Sequence, residues 1–101
     1  MTPRSFRLRP DAEIEANEAF DWYESERPGL GETFRAELKL VFRRVLSAPD
    51  QFPVIYGSNT RSAHLRRFPY SVIFHASSDE ILIVAIFHDR RNPIIWRGRI
   101  D

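Results

Sequence analysis

Cysteine does not occur in this sequence. Its absence excludes a disulfide framework and any thiolate-ligated metal centre. Histidine is scarce too: His64, His75 and His88 are scattered without ligand spacing, so no metal and no other cofactor is expected. Neither a Gly-rich phosphate loop nor a nucleophile elbow is present. No apolar run approaches a membrane span, and the opening MTPRSFRLRP lacks the apolar core of a secretory signal. The expectation is a soluble cytoplasmic chain with no membrane partner. Lysine is nearly missing as well, Lys39 being the one cation of 15 that is not arginine. Such arginine usage fits a GC-rich genome as well as it fits phosphate binding. A net charge of +1 does not announce a nucleic-acid binder. The charge is uneven, however: residues 1–60 hold 8 basic and 10 acidic side chains, residues 61–101 hold 7 and 4. The C-terminal skew hints at an anionic partner.

What is present reads as one domain over residues 1–101, long enough to bury about two-thirds of its unfolded surface. SFRLRP alternates apolar and basic residues, which predicts a short strand ended by Pro10. Pro10 and Asp11 then open a helix, where the first turn tolerates proline and favours acids. Ala12, Ala16, Ala19, Phe20 and Tyr23 give it an apolar face; Glu13, Glu15, Glu18, Asp21, Glu24 and Glu26 give it an acidic one. RPGLGE breaks this helix. A second begins near Glu32, with Phe34, Leu38, Val41, Phe42 and Val45 as its stripe and Arg35, Lys39, Arg43 and Arg44 as its basic side. The short turn predicts an antiparallel helical hairpin. After a proline-punctuated loop, APDQFPVIYGSNT, come three strand-like runs, SAHLRRF, YSVIFHA and EILIVAIFH. Their tight corners, at Phe68-Pro69 and SSDE, force antiparallel neighbours. The tail NPIIWRGRI fits a helical turn or a strand. The predicted fold is α+β in the order β-α-α-β-β-β, an antiparallel sheet with the helical hairpin packed on one face.

The third run raises a question of coverage. ILIVAIF is apolar at every position, so strict alternation sends Ile81, Ile83, Ala85 and Phe87 one way and Leu82, Val84 and Ile86 the other. Two helices cover one side of a sheet. The other is left to the tail (Ile94, Ile95, Trp96) and the loop (Val54, Ile55, Tyr56), or to a partner chain, since a contiguous apolar patch marks an interaction site. Trp22 lies off the first helix's stripe, near Ile14 and Glu18, and tryptophan is enriched at binding hot spots.

Two basic-aromatic clusters, RRFPY and FHDRRNPIIW, border the last strands. Cleavage of RNA through its 2′-hydroxyl needs a base, an acid and cations at the phosphorus centre. His88 could exchange protons, Arg90 and Arg91 could clamp a phosphate, and Tyr70 could stack on a base. Each also has an ordinary reading as a solvated, paired or packed side chain. Alternation along a strand would send Arg66 and Arg67 to opposite faces.

The stretches AFDWYESERPGLGETF, HLRRFPYSVIFH and IVAIFHDRRNPIIWRGR, in this order and spacing, resemble the ParE/RelE superfamily of bacterial type II toxin-antitoxin toxins, most closely its ParE-like branch. The resemblance spans nearly the whole chain and implies the same fold. It implies a cognate ParD-like or similar antitoxin that wraps the toxin in a hetero-oligomer. It also implies a target, which differs between branches: ParE-like members inhibit DNA gyrase, whereas RelE-like members cut mRNA on the ribosome. Ser71 stands where RelE-like enzymes often carry a catalytic arginine, Arg90 matches a later arginine, and Trp96 aligns with their C-terminal catalytic tyrosine. Serine cannot act as a cation, and tryptophan has no oxygen through which to exchange a proton. The expectation is therefore a non-enzymatic gyrase inhibitor. An endoribonuclease using His88, Arg90 and Arg91, or a non-toxic binding module, are the alternatives. The expected target-contact surface is Arg66, Arg67, Tyr70, His88, Arg90, Arg91 and Trp96. The expected antitoxin-binding residues are Ile14, Trp22, Leu82, Val84 and Ile86.

Overall fold

A change of hydrophobic period at Pro10 converts a strand into a helix in the computed structural model, which describes residues 4–100. Strand β1 is Ser5–Leu8, and helix α1 is Pro10–Glu26, with Pro10, Asp11 and Glu13 in its first turn. Gly29, at φ 90°, takes the left-handed conformation that a side chain would resist, and α2 follows as Leu30–Ser47. The Glu24 carboxylate on α1 accepts the N–H groups of Gly29 and Gly31, both at 3.0 Å. One helix thus caps the other, with a negative charge at the N-terminus where it is favoured. A Cβ on Gly31 would lie 2.7 Å from the Phe20 carbonyl, so glycine is what lets the two helices approach.

A 3-10 turn, Pro49–Gln51, leads to β2 (Val54–Tyr56), β3 (Thr60–His64), β4 (Tyr70–Ala76), β5 (Glu80–His88) and a last helix, α3 (Ile94–Ile100). The five strands lie in the order β1-β5-β4-β3-β2. All neighbours are antiparallel except β1, which runs parallel to β5 from Ser5↔Glu80 to Leu8↔Ile83. The α+β reading holds, with two additions: the loop contributes the short edge strand β2, and the tail is a helix. Among the described residues no helix is long and apolar enough to cross a membrane.

The helical hairpin buries Phe34, Leu38, Val41 and Val45 against Val72, Phe74, Ile81, Ile83 and Ile86 of the sheet. Tyr23, Phe34, Phe68 and Tyr70 complete this core as a ring cluster with centroids 4.8–6.1 Å apart. Strict alternation along β5 fails for a definite reason. The β4–β5 register shifts, Phe74 pairing with Ile83 but Ile73 with Ala85, so Val84 is an extra residue in a bulge. Ile86 therefore joins Ile81 and Ile83 under the helices, while Leu82, Val84, Ala85 and Phe87 belong to the opposite face.

That opposite face is covered by the chain itself. Trp96 of α3, 4% exposed, packs with Ile73, Val84, Ala85 and Phe87, flanked by Tyr56, Leu82 and Ile100. Its indole meets the Tyr56 ring edge-on at 5.7 Å. This corrects three sequence-derived expectations. Val84 and Ile86, each 1% exposed, are core residues and offer no docking surface. Trp96 is likewise inside. Of the tail and loop residues named as possible cover, Ile94, Ile95, Val54 and Ile55 stay exposed; Trp96 and Tyr56 do the covering.

A polar knot holds α3 in place. Past Leu8, among the described residues, no strand lies beside the outer edge of β5. The Arg9 N–H takes the Ile83 carbonyl (2.9 Å), the Arg99 guanidinium takes that of Val84 (3.1 Å), and a Glu15 oxygen accepts the Ile86 N–H (3.1 Å). Glu15 and Arg99 also face each other fork to fork, at 2.9 and 2.8 Å, and Arg99 Nε reaches Asp11 at 3.1 Å. The Glu15 carboxylate belongs to the helix face that reads as solvated acid, yet its side chain is 11% exposed. Replacing Trp96 by alanine is expected to destabilise the chain by about 3–5 kcal/mol, as for other large core rings. Urea denaturation checks this; a loss below about 1 kcal/mol would mean that the indole covers little.

Candidate functional site

The β4–β5 ladder sets Tyr70 directly opposite His88, their rings edge-on at 5.1 Å. Helix α1 crosses this end of the sheet and adds Glu15, Glu18 and Trp22, and Arg91 comes from the turn after β5. Together with Ala19 and Ile86 these residues line an open cleft of about 300 Å³. A neighbouring hollow of about 310 Å³ shares Glu15, Glu18 and Arg91 with it and adds Asp11, Ile14 and Arg99.

The chemistry of the cleft suits contact better than proton transfer. Burial is the main cause that lifts the Tyr70 phenol above its ordinary value; Arg91 opposes the rise, and Glu15 and Glu18 reinforce it. Burial, helped by Tyr70, also lifts Tyr23 behind it. At neutral pH both phenols keep their protons. The His88 ring accepts the Arg90 N–H at Nδ1 (3.1 Å), so in the neutral ring the hydrogen sits on Nε2, which is then a donor. A general base would need that lone pair free. Arg91 is partly engaged, 3.6 Å from Glu15 and stacked 5.1 Å from the Phe87 centroid.

A serine-histidine-aspartate group lies nearby, but its wiring is not that of a nucleophile. Ser71, 4% exposed, donates its hydroxyl to Asp89 Oδ1 at 2.6 Å, and His64 Nδ1 lies 2.6 Å from the Ser71 Oγ. A hydroxyl has one hydrogen, and the carboxylate holds it. His64 is then the donor to Ser71, the reverse of a base that activates it. Among the described residues no three histidine, aspartate or glutamate side chains stand close enough to hold a metal ion.

Arg66 and Arg67 lie elsewhere. Strand β3 ends at His64, so alternation does not govern them; they form the turn before β4, and both line a groove with Glu37, Leu40, Arg43 and Arg44. Glu37, 6% exposed, pins this turn to α2. One of its oxygens accepts the amides of Arg66 and Arg67, the latter at 3.1 Å, and the other faces Arg67 Nε at 3.2 Å. Burial alone would raise its pKa, but the Arg67 and Arg66 amides and the Arg67 guanidinium together outweigh burial and leave it lowered.

The structure thus brings Tyr70, His88 and Arg91 together, with Trp22 and Ile14 beside them. Arg90 is exposed next to His88, Arg66 and Arg67 form a separate wall, and Leu82 is half-buried beside the Trp96 cluster. Glu15, Glu18, Glu37 and Arg99 went unsingled in the sequence. A sign existed for two of them: Glu15, three after Ala12, and Glu37, three after Phe34, border the apolar stripes of their helices. Because the Glu37 pKa is lowered, its contribution to stability is complete above the ordinary value of 4.5 and disappears as pH falls through the folded value. Glu37→Gln is expected to cost about 1–3 kcal/mol at neutral pH and to flatten this acid limb. Denaturation midpoints measured across acidic pH check it; a variant with the wild-type slope would show that Glu37 is not the titrating group.

Comparison with known proteins places this geometry. Residues 6–93 match the family described as the ParE toxin of type II toxin-antitoxin system, parDE. Toxin ParE2 of Mycobacterium tuberculosis, in strains CDC 1551 / Oshkosh and ATCC 25618 / H37Rv, is 28% identical over 91 residues, which cover 89% of this chain and 86% of the relative. A chain from the solved structure of the chromosomal ParDE TA system from P. aeruginosa shares the fold, with a TM-score of 0.74 over 85% of this chain and 96% of that one, at 18% identity. The match over most of its length shows that this chain belongs to the ParE toxin family of type II toxin-antitoxin systems.

Proposed function

We propose that this ParE-family chain inhibits DNA gyrase in the cytoplasm by binding it rather than by cutting nucleic acid, and that a cognate antitoxin neutralises it by filling the Tyr70–His88 cleft. One observation carries the reading: Trp22, 60% exposed, lines the cleft with Tyr70, His88 and Arg91, and Ile14, 57% exposed, lines the neighbouring hollow that shares Arg91 with it. Apolar side chains suited to holding an antitoxin lie next to cations and rings suited to holding a target. A chain that occupies one covers the other, and inhibition is relieved by occlusion.

Support for binding over catalysis comes from Ser71 and Trp96, which stand where the ribonuclease branch carries catalytic residues, and from His88, the candidate acid or base. Ser71 is buried and hydrogen-bonded to Asp89; Trp96 is buried between α3 and the sheet; the Nε2 of neutral His88 is a donor. Arg90 and Arg91 remain as cations for charge-assisted contacts, and Trp22 and Tyr70 as ring surface.

The test adds the purified chain to gyrase and relaxed plasmid, and in parallel to a cell-free translation reaction. Supercoiling is expected to fall with the transcript intact, and equimolar antitoxin is expected to restore it. Codon-phased transcript cuts with normal supercoiling would overturn the reading in favour of a ribosome-dependent endoribonuclease. Normal supercoiling with an intact transcript would leave a binding module on a toxin fold.

A further inference from the structure

The turn after β5, residues 89–92, carries Arg90 and Arg91, and its first residue is tied to the sheet twice. Asp89 donates its N–H to the Pro69 carbonyl at 2.9 Å, and its carboxylate accepts the Ser71 hydroxyl at 2.6 Å. Ser71 stands two residues before Ile73 and pairs with Phe87, so it belongs to the sheet face that α3 covers. It is buried, and water has little access to replace its bond to the carboxylate. His64 pairs with Ser71 across β3 and β4, and its Nδ1 meets the Ser71 Oγ at 2.6 Å. Side chains from two strands and the turn thus form one hydrogen-bonded row, His64–Ser71–Asp89.

The row has a direction. The hydroxyl hydrogen goes to the carboxylate, so Ser71 meets His64 with a lone pair and the Nδ1 of His64 carries a hydrogen. In the neutral ring this fixes the tautomer, opposite to the one fixed at His88. The row also disposes of a charge. Asp89 adjoins Arg90 in the chain, yet its carboxylate faces Ser71 and the His64 ring, 3.9 Å from Nδ1. Among the described residues no carboxylate stands within ion-pairing distance of Arg90.

We propose that the His64–Ser71–Asp89 row is a latch that sets the direction of Arg90 and Arg91 and keeps Asp89 from neutralising Arg90. Its members are positioning residues, acting through the two arginines. The role in inhibition rests on the reading above, in which these arginines contact gyrase. A turn already held in one conformation loses less freedom when its side chains engage a target. A guanidinium with no internal carboxylate is free for a charge-assisted contact.

The test begins with NMR of the histidine ring nitrogens in the full chain, at a pH where the rings are neutral. The hydrogen is expected on Nδ1 of His64 and on Nε2 of His88. Ser71→Ala is expected to release His64 from this constraint and leave His88 as it was. Amide exchange comes next. Asp89→Ala is expected to speed exchange of the Asp89 and Arg91 amides about tenfold or more, the scale of one lost bond to a charged group. Amides 72–74 of β4 should stay slow, which checks that the fold is kept. Asp89→Asn retains an acceptor oxygen for Ser71 and should do much less. In the supercoiling assay, Asp89→Ala is expected to raise the half-inhibiting concentration about tenfold or more, and Asp89→Asn to recover most of that loss. A hydrogen on Nε2 of His64, or turn amides indifferent to Asp89→Ala, would overturn the proposal. So would an asparagine variant as impaired as the alanine one, or equal inhibition by wild type and Asp89→Ala. The first two measurements contain no gyrase: a latched turn in a wild type that leaves supercoiling untouched would support the latch and count against the gyrase reading alone.

Discussion

The Glu15–Arg99 pair is the constraint from which the rest of this structure follows. Strand β1 is four residues long and its last pairing is Leu8↔Ile83, so β5 runs on past it with an open edge. Buried backbone groups there need partners. Glu15 from α1 supplies an acceptor to the Ile86 amide, and Arg99 from α3 supplies a donor to the Val84 carbonyl. Two charges with side chains 11% and 12% exposed would be costly if either stood alone. They are tolerable because each meets the other fork to fork and both have further bonds. The hydrogen bonds that Arg99 donates to Glu15 are the foremost cause that raises its pKa, so the side chain stays a cation.

Seating α3 has a consequence for recognition. With Arg99 fixed, Trp96 lies over Ile73, Val84, Ala85 and Phe87, and the sheet face away from the hairpin is closed. With that face closed, the hollows that the described residues leave open lie at the helices: the cleft where α1 crosses Tyr70 and His88, and the groove where α2 meets Arg66 and Arg67. Glu15 ties stability to the first, because it also holds Arg91 at 3.6 Å. Glu37 does the same for the second, through the turn it pins.

Much of the fold was legible because its signals are local. The stripes of α1 and α2, the RPGLGE break and the tight corners at Phe68-Pro69 and SSDE each express a steric or periodic rule within a few residues. The β5 bulge was not legible, because in ILIVAIF both faces are apolar and a slip of one residue leaves no mark on the pattern. The placement of Ile86 followed from that slip, whereas Val84 keeps its expected face and is buried there by Trp96. Arg99 was equally silent: its partner is 84 residues away, and RGRI reads as a polar tail until α1 is set beside it. The cleft was half legible. Tyr70 and His88 are paired in the sheet and Arg91 follows in the next turn, whereas Glu18, Trp22 and Ile14 border the two hollows because of how α1 crosses.

The central claim is that Glu15 and Arg99 close the open edge of β5 and so hold the tail on the sheet. Amide hydrogen exchange of the free chain, beside Arg99→Met, tests it most directly. In the wild type the Ile86 amide should exchange as slowly as amides 72–74 of β4; without Arg99, Ile86 and α3 should speed up together while β3 and β4 stay slow. An Ile86 amide that exchanges quickly in the wild type, or one indifferent to the loss of Arg99, would contradict the account.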